Sequence, residues 1–412
     1  MRFGRYDFAS FSCFIAYAGC SVVIPVILVQ IARALHFPLE EEGGKGLGGA
    51  LQLGRSIPMV VSMIFCGFAA ARWGKVRSLG VATIIMATGI LLASLSPSYA
   101  LLFAAVAVAG LGEGVVEGLA TPVLQDIHPD EPGRYINFGH SFWSIGVVAA
   151  TVGAGALVAF CGVSWRWILA IVGVAALVPA ILFLLPYHGP QKPDRSRQLP
   201  GAVVRGQAAR LLANPHFWLF FVAMFLAGGG EFCLTFWVAS FIELSFDGTA
   251  WTGGLGTASF AAGMIVGRMV SGVMVSQAKL RNLIVAAAVA GTLLSLLPPV
   301  LNSLAPLFGV LFLIGITVGP FWPSIQSYCV DRVKGDSTMI YIILSCAGVP
   351  GCGFFAWLMG ALADHFGQSD GLRISFYLVP LCFALIGVLI GTDWLLLRKI
   401  GRRPKSANRE RN

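Results

Sequence analysis

Charge is scarce in this chain. Asp, Glu, Lys and Arg make up 11% of its 412 residues, against about 25% in a soluble globular protein, which excludes a water-soluble fold. Long polar segments are missing too. Only one connection, Tyr187 to Ala213, is long and polar, and it falls short of the roughly 50 residues of an independent soluble domain. No Gly-x-x-x-x-Gly-Lys-Ser/Thr run occurs, so ATP-driven transport by this chain alone is unsupported. The nine cysteines lie in or beside apolar stretches without paired spacing, which indicates neither a disulfide framework nor a metal site. No nucleophile–base constellation marks an enzyme, and no cofactor is expected. The apolar run after Arg5 continues past Leu28 without a small-residue cleavage site, so it is expected to stay as a span.

What the chain has is apolar surface. Hydrophobic residues make up 57% of it and the mean hydropathy is +0.81. Runs of about 20 apolar residues are long enough to cross a bilayer, and twelve are found: 9–32, 48–70, 78–95, 99–124, 135–160, 165–186, 216–242, 251–276, 282–300, 304–329, 337–360 and 372–397. The expected fold is an all-α membrane protein of twelve transmembrane helices in two six-helix halves. The expected domains are an N-terminal bundle (1–186), a cytoplasmic linker (187–213), a C-terminal bundle (214–397) and a basic tail (398–412).

The formal charge of +9 does not point to nucleic acid, because the basic residues sit in alternate loops rather than on one face. The termini and every second loop hold 22 of the 28 Lys and Arg residues, while Arg33, Lys45, Arg166 and Arg373 occupy the opposite loops. The positive-inside rule then places both termini in the cytoplasm. The expected setting is the inner membrane of a bacterium, with the tail against anionic lipid and the chain acting as a monomer.

The two halves echo each other. Gly67 to Arg77 follows the second span and Gly272 to Arg281 follows the eighth; each closes one helix on a small residue and opens the next through a short basic loop. Repeats of this size build alternating-access transporters, whose substrate sits at mid-membrane between the halves.

Here the chain resembles the major facilitator superfamily. Gly67-Phe-Ala-Ala-Ala-Arg72-Trp-Gly74-Lys75-Val-Arg77 is similar to that family's motif between helices 2 and 3, which implies a gating role for Arg72, Lys75 and Arg77. Ala71 stands at the motif's acidic position, so the family's charge contact there is not implied. Three stretches, Arg134 to Gly146, Gly230 to Phe241 and Gly267 to Gly272, resemble the fucose–galactose–glucose proton symporter group, as does Gly319 to Ser327 more weakly. That resemblance implies a proton-coupled sugar transporter.

Chemistry is expected where polar residues enter spans. Glu113 and Glu117 are one turn apart on the fourth span, so they share a helix face. An ionised carboxylate at bilayer depth turns to a cavity or a partner. They are expected to bind the coupling proton, with sodium left open; the alternative is a structural pair with a buried arginine, Arg55 or Arg268. Glu231, the third acid expected to take part in proton coupling, follows Gly228, Gly229 and Gly230, which weaken the seventh helix and suit a gate, or else permit close packing. Trp143, Trp237, Trp322 and Gln326 make an aromatic and amide set suited to a sugar ring and its hydroxyls; the alternative for each Trp is to face lipid or pack between helices. Asn137 and His140 join the candidate binding set. Arg268, Asp331 and Arg332 are assigned to gating ion pairs, and Pro320 and Pro323 favour a kink in the tenth helix. No basic residue is expected at the mid-membrane site, which argues against an anionic substrate. The expected function is proton symport of a small polar solute such as a hexose. The rival is a proton-coupled antiporter exporting cationic or lipophilic drugs, although the fifth span lacks the Gly-Pro pairs that the superfamily's antiporters place there.

Overall fold

The computed structural model describes residues 3–40, 43–128, 132–186, 189, 191, 201–335, 337–367 and 371–401. Residues 187, 188, 190 and 192–200 of the expected linker and the tail beyond residue 401 lie outside them. Among the described residues there is no strand. The first six spans are α1 (Arg5–Val26, continued by Leu28–Leu35), α2 (Gly44–Trp73), α3 (Lys75–Ser94), α4 (Tyr99–Ile127), α5 (Pro132–Cys161) and α6 (Trp165–Ala175, continued by Val178–Leu184). The second six are α7 (Pro215–Ser245), α8 (Ala250–Met274), α9 (Leu280–Ser295), α10 (Leu304–Val318, continued by Phe321–Arg332), α11 (Ser337–Phe366) and α12 (Leu378–Gly401). The helix Gly201–Leu212 precedes α7.

Eleven helices of the described residues are long and apolar enough to cross a membrane. The twelfth expected span, α8, is rich in glycine and carries Arg268, which lowers its hydropathy; its 25 residues still form one helix, long enough at about 1.5 Å per residue. Several helices outrun the apolar runs that predict them, because hydropathy marks the bilayer core and not the last helical turn.

Local chemistry sets the ends. Asn214 accepts from the His216 amide with Pro215 at the first helical position, and Thr249 and Thr252 cap α8 reciprocally. Gly74 joins α2 to α3 in one residue at φ 84°, a region open to glycine at little cost. The break in α10 falls at Gly319 and Pro320, where the proline spacing predicts it.

Packing repeats across the halves. α1 packs on α5, α2 on α4 and α3 on α6; in the second half α7 packs on α11, α8 on α10 and α9 on α12. Between the halves, α2 meets α11 and α5 meets α8. These interfaces are tightest at the end away from the chain termini, here called the far end. A Cβ on Gly49 would lie 2.6 Å from the Ala356 carbonyl, one on Gly360 2.3 Å from that of Lys45, and one on Gly155 2.6 Å from that of Ala250. Backbones this close exclude solvent from the far end. Asp364 of α11 completes the closure: it accepts from the amides of Lys45 (3.0 Å) and Gly46 (2.7 Å) at the start of α2. That helix has no side-chain cap of its own.

A bulky residue at Gly49 should keep the far end from closing. In Gly49→Val, a cysteine placed at Ser56, 1% exposed here, is expected to become reactive to a membrane-impermeant thiol reagent added from the far side. Unchanged reactivity would mean that this contact does not seal the protein.

Candidate functional site

Between the halves lies a cavity enclosing about 590 Å³, with open solvent at its mouth included, within the range of small-molecule sites. Its wall draws on both halves: Tyr17, Gln52, Arg55, Glu117, His140 and Trp143 from the first, and Glu231, Phe232, Arg268 and Trp322 from the second. A second space of about 300 Å³ continues it toward the termini, past Thr121, Gln326, Tyr341 and Ser345. Glu117, His140 and Trp322 line both. The cavity is therefore shut at the far end and extends toward the end that carries the termini.

Glycine packing aligns the first charged pair. A Cβ on Gly110 would sit 2.3 Å from the Arg55 carbonyl, and one on Gly114 2.0 Å from that of Met59, so α4 lies flush on α2 and faces Glu113 with Arg55. The guanidinium meets both oxygens of Glu113 in a buried fork. It also donates to the Ser21 carbonyl (2.8 Å) and hydroxyl (3.0 Å). One arginine thus ties α1, α2 and α4 together.

Arg268 occupies the matching place in the second half. It donates to the Gly319 carbonyl (3.1 Å) and to the Ser144 hydroxyl on α5 (2.8 Å), lies 3.6 Å from the Glu231 carboxylate and sits 5.6 Å over the Trp143 ring. It therefore bridges the halves. The expectation of a site without basic residues does not hold, since Arg55 and Arg268 both reach the cavity wall. Position along a span fixes depth only crudely and says nothing of which neighbour a side chain meets.

Glu117 stands apart. Among the described residues no basic side chain lies within ion-pair distance of it; it accepts from Ser345 (3.2 Å) and hydrogen-bonds with Tyr17. With Arg55 matched to Glu113 and Arg268 to Glu231, Glu117 is the cavity's unmatched carboxylate.

The other sequence candidates divide. Trp143 and Trp322 line the cavity, Gln326 bonds to Ser345 (3.2 Å), and His140 to Thr121 (2.9 Å). The side chain of Asn137 lies outside the described residues. Trp237 is elsewhere: fully buried, it donates to the Ala356 carbonyl (2.8 Å) within the far-end closure. Gly228, Gly229 and Gly230 lie inside an unbroken α7, where a Cβ would fall 2.2 to 2.4 Å from Gly348, Phe355 and Phe383; in this conformation they admit close packing. Lys75 pairs with Asp126 at the end of α4 (2.6 Å), while Arg72 and Arg77 are exposed. Asp331 accepts from Gln277 (2.7 Å), and Arg332 lies 3.5 Å from Asp393, so both act within the second half. Tyr17, Ser21, Gln52 and Ser56 are cavity residues that sequence reasoning missed; isolated polar residues inside apolar runs were the signal available. No group of three metal-capable side chains occurs among the described residues.

The sequence matches the family model of the Major Facilitator Superfamily over residues 9–350. The chain belongs to that superfamily. It is a membrane transporter of the major facilitator fold rather than an enzyme. No curated protein sequence matches it. Among solved structures, a bacterial homologue of the human lysosomal transporter Spinster, inward-facing and occupied, superposes with a TM-score of 0.76 at 16% identity, covering 95% of this chain and 97% of that one. The E. coli fucose:proton symporter FucP superposes at 0.66 with 17% identity over 94% and 98%, and FucP in the outward conformation at 0.65 with 18% identity over 95% and 99%. At these identities the likeness shows the shared fold.

Proposed function

We propose that the protein is a secondary active transporter that moves a small polar solute, a hexose-type sugar first among them, by proton symport with alternating access. The observation that carries this is the unmatched Glu117, which faces both parts of the cavity. A carboxylate in that place takes a proton and a hydroxyl-rich solute together: neutralised, it donates to a sugar oxygen, and ionised, it accepts from a hydroxyl. Trp143 and Trp322 offer flat apolar faces, Gln52 and Gln326 offer amides, and Arg268 has its loosest contact on the side of Glu231. A structural neighbour named as a fucose:proton symporter supports the same reading. The setting proposed is a bacterial inner membrane with cytoplasmic termini and the chain as a monomer among its lipids. Arg72, Lys75, Arg77, Asp331 and Arg332 are proposed to shape the cytoplasmic gate, and Gly228, Gly229 and Gly230 to let α7 move on α11 and α12.

One observation favours the rival. Phe14, Met59, Phe232 and Val349 also line the cavity, and apolar walls around one surplus carboxylate suit a lipophilic cation exported in exchange for protons. Proteoliposomes with an imposed pH gradient decide between them. Accumulation of one labelled hexose from a panel supports symport; no sugar movement, together with a cationic dye driven against its gradient, replaces symport with antiport.

A further inference from the structure

Far from the cavity, the continuation of α1 meets the last turn of α7 at the far end, and one acid there has no part in the reading above. Gln30 Nε2 donates to Glu243 Oε2 at 2.8 Å, joining the two halves. The second oxygen of each side chain, Oε1 of Gln30 and Oε1 of Glu243, is closed to solvent and has no hydrogen-bond partner. An orphaned buried acceptor costs about 1–3 kcal/mol, and more when charged, so two side by side in one contact need an explanation. Flipping the amide gives none: it would turn the Gln30 oxygen toward a carboxylate that only accepts.

We propose that Glu243 is a proton-binding site, occupied in this conformation, and that the resulting acid–amide pair latches α1 to α7 across the closed far end. A proton on Glu243 Oε1 makes that atom a donor, and the Gln30 oxygen is an acceptor lacking one. The carboxylic acid and the primary amide then share two hydrogen bonds in one ring, and no acceptor is left over.

The surrounding charges leave this site to a proton. Arg33, the only ionisable group on the continuation of α1, is exposed and pairs with Glu40 at 2.6 Å. His36 and Asp247 are exposed in adjoining turns. Arg373, which reaches the end of α7, spends its donors on the carbonyls of Ser245, Pro299 and Leu301. Asp364 is held by the α2 amides, and Arg268, the only charge on α8, lies at the cavity. Among the described residues, Glu243 has no ion-pair partner. Two free oxygens are also few for a metal cation, since a calcium ion takes six to eight oxygen ligands.

Proton loss removes the donor and sets a carboxylate against an amide oxygen, so rising pH on the far side favours the open far end. The proposal rests on alternating access, but neither on the solute nor on proton binding at Glu117. Spin labels at the exposed positions Ala34 and Tyr377, in full-length protein lacking Cys161 and Cys346 and reconstituted in nanodiscs, report the far-end distance without substrate or transport. In the otherwise wild-type protein the short-distance population is expected to fall as pH rises. Glu243→Gln replaces the acid with a second amide able to close the same ring, and should stay short-distance at every pH. Gln30→Leu removes the partner and should lose the pH response toward the long distance. The proposal is overturned if Glu243→Gln keeps the wild-type pH response, if the distances ignore pH, or if sodium at constant pH shifts them instead. Failure of sugar uptake leaves this result untouched.

Discussion

Glu113→Leu should lower the thermal stability of the purified transporter far more than Arg55→Met does. Removing one partner of a buried ion pair costs about 3–5 kcal/mol, because the other charge is left without compensation. The two partners differ in their escape. An orphaned Glu113 can take up a proton and become neutral, whereas an arginine stays protonated in any environment a protein offers. Arg55 would also still hold Ser21 on α1, and so carry its charge in the middle of the first half. The double replacement should recover much of the loss, since apolar residues of similar volume often substitute for a buried pair at little cost. Thermal unfolding of the four proteins in detergent measures all of this as one double-mutant cycle. A Glu113→Leu protein as stable as wild type that has lost only gradient-driven uptake would instead make Glu113 the proton carrier.

Glu117→Gln should uncouple transport. With one proton per solute, a pH gradient of one unit supports about tenfold accumulation, since each unit is worth about 1.4 kcal/mol. The glutamine keeps the shape and can still bond to Ser345 and Tyr17, but it carries no proton to release. Accumulation is expected to fall about tenfold, to simple equilibration, while exchange of internal for external solute continues. Glu231→Gln provides the contrast. It takes the ion-pair partner from Arg268, which also holds Ser144 across the halves, so exchange itself should slow. Loss of exchange in Glu117→Gln, with exchange kept but accumulation lost in Glu231→Gln, would reverse the two roles.

The architecture was legible because a bilayer imposes long-range order on composition. Apolar runs of span length, the alternation of Lys and Arg between loops and the echo of Gly67 to Arg77 in Gly272 to Arg281 each reflect that single constraint. Helix ends were less legible: α2 begins at Gly44 and α7 ends at Ser245, outside their apolar runs, where capping rather than hydropathy decides. The site was legible as a set of residue types and obscure as a set of partners. Spacing places Glu113 and Glu117 on one face of α4, but not the facing helices that give one an arginine and the other a serine and a tyrosine. Trp143 and Trp237 are alike as letters, yet one lines the cavity and the other plugs the far end. What separates them is helix rotation within the bundle, a property of tertiary packing that a single sequence does not record.

The cap that Asp364 places on α2 belongs to the opposite half of the molecule, so this helix start is finished only while the far end is shut. A side-chain cap is worth about 0.5–2 kcal/mol, enough to weight the shut state by a factor between about two and thirty. Every opening must strip the first turn of α2 and return the Lys45 and Gly46 amides to water. Deuterium uptake at those two amides would then track the fraction of molecules whose far end stands open, a gauge built into the backbone that reads the resting equilibrium of the transporter with no solute, label or gradient applied.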